Sequence, residues 1–235
     1  MCWWYSVKMK TCKSSLKNMT SDSTHMSARV TIPDKVYAGY IFDLDGTLVD
    51  SMPTHHRAWR DALRNHGAPY EAFLWDEFVA HGGMAAPDIV ADLNRIYGLH
   101  MPPETVAAEK RARYDELIET ETLPIIPETV DLVRRLKEQG IPYAIGTGSV
   151  RHGALTTMRS AGIADLFDII VTPDDVPPGR GKPCPDIFLL AAEKMGVPAS
   201  GCVVFEDAQP GLEAAAAAGM AAVTVRQLKP GNAEC

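Results

Sequence analysis

The residues best equipped for chemistry lie in four short stretches. The first is Phe42-Asp43-Leu44-Asp45-Gly46-Thr47-Leu48-Val49-Asp50-Ser51, in which two carboxylates stand at i and i+2. At the end of a strand such a pair leaves the chain on one side, and the glycine lets the backbone turn beside it. Taken alone, the pair fits two solvated turn acids equally well, because Asp-Gly is a common turn signal. The other stretches give it company: Thr147 in Ile145-Gly146-Thr147-Gly148-Ser149, Lys182 in Gly181-Lys182-Pro183-Cys184-Pro185-Asp186, and the acidic pair Glu206-Asp207. A hydroxyl and a lysine beside four carboxylates are parts for handling a phosphoryl group. Carboxylates bind Mg²⁺, lysine and metal neutralise the phosphoryl oxygens, and one carboxylate can be the nucleophile of an aspartyl-phosphate intermediate.

Such parts work only if the fold gathers them. Residues 36–42 form a short apolar run rich in β-branched and aromatic side chains, the pattern of a buried strand. From residue 128 onward helix and strand alternate. Helices are expected at 128–139, 152–161, 185–195 and 211–218, with glycines 140, 162, 196 and 219 after them, and strands at 141–147, 167–171, 202–205 and 221–225. Strands separated by helices of this length mean βαβ units, an α/β fold with a Rossmann-like, doubly wound parallel sheet. Each chemical stretch falls just past a strand or at a helix start, so all four should meet at the carboxyl edge of the sheet, where open α/β sheets bind ligands. Between the first strand and residue 128 the only strong patterns are helical, at 54–65, 70–80, 87–97 and 103–120. A connection that long must be structured, so residues 54–122 are expected to form an inserted helical cap, with residues 36–53 and 123–235 as the α/β core and residues 1–35 as a disordered N-terminal extension.

Composition narrows the partners. The 235 residues are 46% hydrophobic and 23% charged, which is ordinary for a chain that buries a core, and the net charge is −7. Residues 1–40 hold Lys8, Lys10, Lys13, Lys17, Arg29 and Lys35 against Asp22 and Asp34, so the rest is more acidic than the total suggests. That balance excludes bulk attraction to nucleic acid, which comes from lysine and arginine neutralising phosphates. No run of 18 apolar residues is present, so no membrane span is expected. The cysteines at 2, 12, 184, 202 and 235 are odd in number and not closely paired, fitting neither a disulfide framework nor a zinc site and pointing to a reducing, cytoplasmic setting. The partner expected is a small phosphorylated molecule, and the chain itself a monomer or weak homodimer.

The four stretches, in this order and with a helical segment between the first two, resemble the motifs of the haloacid dehalogenase superfamily. Pro53-Thr54-His55-His56-Arg57-Ala58-Trp59 and Cys202-Val203-Val204-Phe205-Glu206-Asp207-Ala208 are similar to its β-phosphoglucomutase-like branch, and especially to bacterial fructose-1-phosphate phosphatases. The resemblance implies Asp43 as the nucleophile and Asp45 as the acid for the leaving alcohol and then the base for water. It implies a Mg²⁺ held by Asp43, Glu206 and Asp207, with Asp45 joining through its main-chain carbonyl, and a phosphoryl group bound by Thr147, Gly148 and Lys182. In the cap it points to His55, Trp59, Gly83 and Lys110 as substrate-side residues. Blander readings also fit these: a surface histidine beside His56, a lysine on a charged helix face, and a tryptophan in the cap core.

One departure bears on the reaction. The mutases carry an arginine three residues after the cap-loop glycine, where counting from Gly83 gives Ala86 here. Without that fork a distal phosphate loses a bidentate partner, which favours hydrolysis over isomerisation, with Arg57, Arg151 and Arg180 as remaining candidates for the place. A phosphomutase is the alternative enzyme. A silent binding protein on the same scaffold is the alternative from another class.

Overall fold

The computed structural model describes residues 29–68, 73–82 and 84–228. Five parallel strands, β1 (Gly39–Phe42), β2 (Tyr143–Gly146), β3 (Ile170–Val171), β4 (Cys202–Glu206) and β5 (Ala221–Thr224), form one sheet in the order β3-β2-β1-β4-β5. Along β1 all four residues are buried, as a central strand covered on both faces requires. Alternate side chains serve opposite cores. Tyr40, Phe42, Ile145, Val203 and Phe205 join the core under α5 (Pro127–Gln139) and α6 (Arg151–Ser160), whereas Ile41, Ala144 and Val204 join the core under α7 (Asp186–Met195) and α8 (Gln209–Ala217). The Ala-rich run of α8 buries Ala214 and Ala215 there, so its small side chains let a helix lie close on the sheet.

The chain runs outward from β1 through β2 to β3, then returns across the sheet to β4 on the other side of β1. That reversal places the switch point between β1 and β4, whose carboxyl ends open a crevice. Asp43 follows β1 there and Glu206 ends β4, with the Asp43 amide donating to the Phe205 carbonyl at 2.9 Å.

Four helices intervene between β1 and α5: α1 (Met52–Asn65), α2 (Trp75–Ala80), α3 (Ala86–Tyr97) and α4 (Pro103–Thr120). They have a core of their own, built on Trp59, Leu63, Phe73, Phe78, Val90 and Leu93. The second half of α4 serves the main core instead, through Tyr114, Leu117 and Ile118. Two adjacent strands of chain connect the helices to the sheet. The Ile126 amide donates to Leu48 O at 2.8 Å and the Asp50 amide to Pro124 O at 2.8 Å.

Several boundaries differ from expectation. The strand expected over 167–171 pairs only at Ile170–Val171, because it is an edge strand and the chain bends at Asp168 after burying Phe167 in the main core. The helix expected over 70–80 is Trp75–Ala80, and its expected first residues, 70–72, lie outside the described residues. Packing of the chain begins before Val36: Val30 is 6% exposed in the main core, although the sequence alone places residues 29–35 in the extension. A lone valine between Arg29 and Thr31 shows no periodicity, so only tertiary contact reveals it. Residues 1–28 lie outside the described residues, and among the described residues no helix is long and apolar enough to cross a membrane.

Candidate active site

The strand ends and the helical insertion enclose a cleft of about 640 Å³. On its floor Asp43, Glu206 and Asp207 bring one carboxylate oxygen each to within 4.8 Å of one another. Lys182 reaches in from the loop before α7, its Nζ donating to Asp43 Oδ1 at 2.7 Å and to Glu206 Oε2 at 3.0 Å, with the Phe188 ring 4.8 Å from it. Two glycines make this crowding possible. A Cβ at Gly211, early in α8, would lie 2.1 Å from Glu206 Cδ, and Gly46 turns at φ +83° against the Asp207 carboxylate. Asp207 is further fixed by Thr47 Oγ1 at 3.3 Å and by Gln227 Nε2 at 2.9 Å, the latter also donating to Gly46 O at 2.8 Å.

Three carboxylates against one ammonium leave the floor short of positive charge. Burial raises Asp207 well above the usual carboxylate range, and Asp43 and Glu206 raise it further by repulsion. Burial, then the Asp43 charge, pushes Glu206 up to about 8, while burial raises Asp43 against the pull of Lys182. Although burial opposes its charge, Asp43 and Glu206 hold Lys182 protonated beyond the ordinary lysine range. Clustered hard oxygen donors with unmet negative charge suit a divalent cation of the Mg²⁺ kind.

Asp45 occupies a separate environment, its carboxylate lying outside that trio. Ser51 Oγ donates to its Oδ1 at 2.6 Å and Ser149 Oγ to its Oδ2 at 2.7 Å. His55 Nε2 approaches Oδ1 at 3.4 Å, and Lys110 Nζ lies 2.9 Å from His55 Nδ1. An ammonium only donates, so Nδ1 must accept and Nε2 must carry the hydrogen toward Asp45. Burial and the Lys110 charge keep the ring below its ordinary basicity, consistent with that neutral tautomer. Burial alone would raise Asp45, but the donors from His55, Ser149 and Ser51 prevail and hold it well below the usual range. The His55 ring is stacked on Tyr114 at 3.8 Å between centroids, and Tyr114 is anchored by Thr157 at 3.0 Å. Burial lowers Lys110 from the ordinary 10.5 to about 8.

The sheet edge thus gathers Asp43, Asp45, Thr147, Gly148, Lys182, Glu206 and Asp207, and α1 and α4 add His55, Trp59 and Lys110 to the same cleft. Trp59 is 3% exposed and belongs chiefly to the helical core, with its ring 5.7 Å from Lys110 Nζ. Thr147 is buried and its Oγ1 accepts the Ser149 amide at 3.1 Å. Gly83 lies outside the described residues; its neighbours His81, Gly82 and Met84 line the cleft. Among the described residues none of Arg57, Arg151 and Arg180 faces it; they pair with Glu121, Asp175 and Asp186. Sequence reasoning missed Ser51, Ser149, Thr47 and Gln227 as partners of the acidic groups, and Tyr114 as the ring on which His55 stacks. Both serines stand inside quoted motifs, but Gln227 follows the last strand with no local signal.

A parallel sheet with an acidic, lysine-bearing crevice at its switch point and a helical insertion over it is a Rossmann-like α/β fold whose site suits a hard cation and an anionic ligand. The chain belongs to the haloacid dehalogenase-like hydrolases, whose family model matches residues 37–219. It is 39% identical to fructose-1-phosphate phosphatase YqaB of Escherichia coli, over 82% of this chain and 98% of that one, and 36% identical to hexitol phosphatase A of the same organism, over 80% and 82%. Among solved structures it is similar to CbbY from Rhodobacter sphaeroides in complex with phosphate, at 25% identity and TM-score 0.69, covering 85% of this chain and 90% of that one. It is also similar to β-phosphoglucomutase from Clostridium difficile, at 26% identity and TM-score 0.65, covering 80% and 83%.

Proposed function

We propose that the protein is a Mg²⁺-dependent phosphatase of a small sugar phosphate, fructose 1-phosphate being the first candidate, acting through a phosphorylated Asp43. The observation that carries this reading is the division of labour between two acidic residues. Asp43 faces Lys182 and the other carboxylates, whereas Asp45, two residues on, is wrapped in hydroxyl and imidazole donors. Environments that differ this much assign different roles to neighbouring carboxylates.

In this reading Asp43, Glu206 and Asp207 hold Mg²⁺, which supplies charge neutralisation for the phosphoryl oxygens when bound. Lys182 and Thr147 bind the phosphoryl group, with Gly148 leaving its approach open. An Asp43 oxygen attacks phosphorus in line, the bond to the sugar oxygen breaks, and Asp45 gives its proton to that oxygen. Asp45 is ionised while donors alone surround it; the arriving phosphate dianion raises its proton affinity by repulsion, and Asp45 takes up a proton from solvent as substrate binds, so it enters this step as the acid. Water then attacks the phosphorylated Asp43, Asp45 takes the water proton, and phosphate and the starting carboxylate are released. The helices α1–α4 act as a cap that excludes water and presents Trp59, His81 and Met84 to the sugar.

The cleft supports hydrolysis over the mutase reaction. Its cations among the described residues are Lys182 and Lys110, the first engaged with Asp43 and Glu206 and the second with His55, so a second phosphate finds no arginine fork. Incubation with a panel of sugar phosphates, scoring free phosphate against rearranged sugar phosphate, tests this reading. Rearrangement primed by a bisphosphate, with little free phosphate, would overturn it.

A further inference from the structure

The segment before β1 touches both ends of the catalytic apparatus, and nothing in the reaction described above uses it. The Arg29 guanidinium pairs with the Asp50 carboxylate, the two side chains being 14% and 20% exposed. The Arg29 amide donates to Glu128 Oε1 at 3.0 Å, and its carbonyl accepts the Arg226 amide at 2.8 Å. Val30 beside it is sunk in the main core, which fixes the segment in place.

Each contact lies next to a residue that supports the site. Asp50 belongs to the strand of chain leaving for the helical insertion and precedes Ser51, whose hydroxyl holds Asp45 at 2.6 Å. Glu128 follows the returning strand, which is bonded to the outgoing one through Asp50 and Pro124. Arg226 precedes Gln227, whose amide holds Asp207 and the Gly46 carbonyl. One residue therefore joins the two strands that connect the helices to the sheet with the loop that supports the acidic floor. A largely buried arginine–carboxylate pair has definite geometry, and removing one partner strands the other.

We infer that Arg29 is a positioning residue, a clamp that sets the two connecting strands so that Ser51 and His55 stay on Asp45 and proton delivery to the leaving group is in register. This rests on the assignment of Asp45 as the acid. The clamp makes residues 29–30 a working part of the enzyme.

The test uses the full chain with Arg29→Met, Asp50→Asn and the double variant. Proton delivery matters for an alkyl leaving group and little for p-nitrophenolate, and kcat/KM reports the steps through departure of the leaving group. Expected is a fall of at least fivefold in kcat/KM for a sugar phosphate with less than a twofold change for p-nitrophenyl phosphate, the double variant matching the singles and Arg29→Lys recovering part of the loss. An equal fall on both substrates, or none, would overturn the clamp. Hydrogen exchange is the independent arm: peptides spanning residues 46–56 and 122–130 should exchange faster in Arg29→Met. If the parent released no phosphate, the assignment of Asp45 would fail, while unchanged exchange would by itself overturn the clamp.

Discussion

Replacing Lys110 with methionine should make the protein more stable near neutral pH and a worse enzyme. The side chain keeps its stem among Trp59 and Tyr114, while its half-buried ammonium at the cleft wall has His55 Nδ1 as the acceptor at 2.9 Å. Burial lowers its pKa from 10.5 to about 8, so between those values the unfolded chain binds more protons than the folded one. Stability must then rise with pH across that window, and below about 8 the charged lysine is a net cost. At about 1.4 kcal/mol per pKa unit the shift corresponds to roughly 3 kcal/mol; because Lys110 keeps some contact with water, about 1–2 kcal/mol is the working figure. Methionine preserves the apolar stem and removes the cost, so its midpoint in urea should exceed the parent's at pH 7 and the gap should close by pH 10. Activity should move the other way. Without the ammonium, His55 is free to adopt the tautomer that presents a lone pair to Asp45, and kcat/KM should drop about 10–100-fold. The parent's activity should fall on an alkaline limb near pH 8, where Lys110 loses its proton, and that limb should be missing in the variant. A variant that is less stable at pH 7, or that retains the parent's kcat/KM and alkaline limb, would refute the reasoning.

Other consequences follow from the same contacts. Gly211→Ala places a methyl group where Glu206 Cδ lies, 2.1 Å away, so Glu206 must shift; melting should drop by the equivalent of about 1–3 kcal/mol and half-maximal activity should need at least tenfold more Mg²⁺. Ser149→Ala removes one donor to Asp45, and kcat/KM for a sugar phosphate should fall about tenfold while the urea midpoint changes little. Chelation should lower the melting temperature, because Asp43, Glu206 and Asp207 are left with Lys182 alone; Mg²⁺ at about 100 times its Kd should restore roughly 2.7 kcal/mol, seen as a concentration-dependent rise in melting temperature.

What was legible in the sequence was whatever has a local cause. The helix over residues 103–120 is observed as Pro103–Thr120, since a proline suits a first turn and the pattern needs no distant partner. Strands β1 and β4 are fully buried runs, and the acidic groups that follow them could be placed at one edge once the alternation with helices was read. Edge strand β3 is shorter than its composition suggests, because its length is decided by what β2 offers for pairing. The site shows the same division. Asp43, Asp45, Lys182 and Asp207 sit in recognisable motifs, but the hold of Gln227 on Asp207 and of Arg29 on Asp50 joins residues far apart in the chain. The relay from Lys110 through His55 to Asp45 needed α1 and α4 to pack side by side, a fact of tertiary structure that no spacing encodes.

The most direct test is phosphate release from fructose 1-phosphate with and without Mg²⁺, comparing the parent with Asp43→Asn. The account predicts Mg²⁺-dependent release by the parent and none by the variant, whose amide cannot accept the phosphoryl group. Release by Asp43→Asn at the parent's rate, or no release by the parent above that control at any Mg²⁺ concentration, would contradict it.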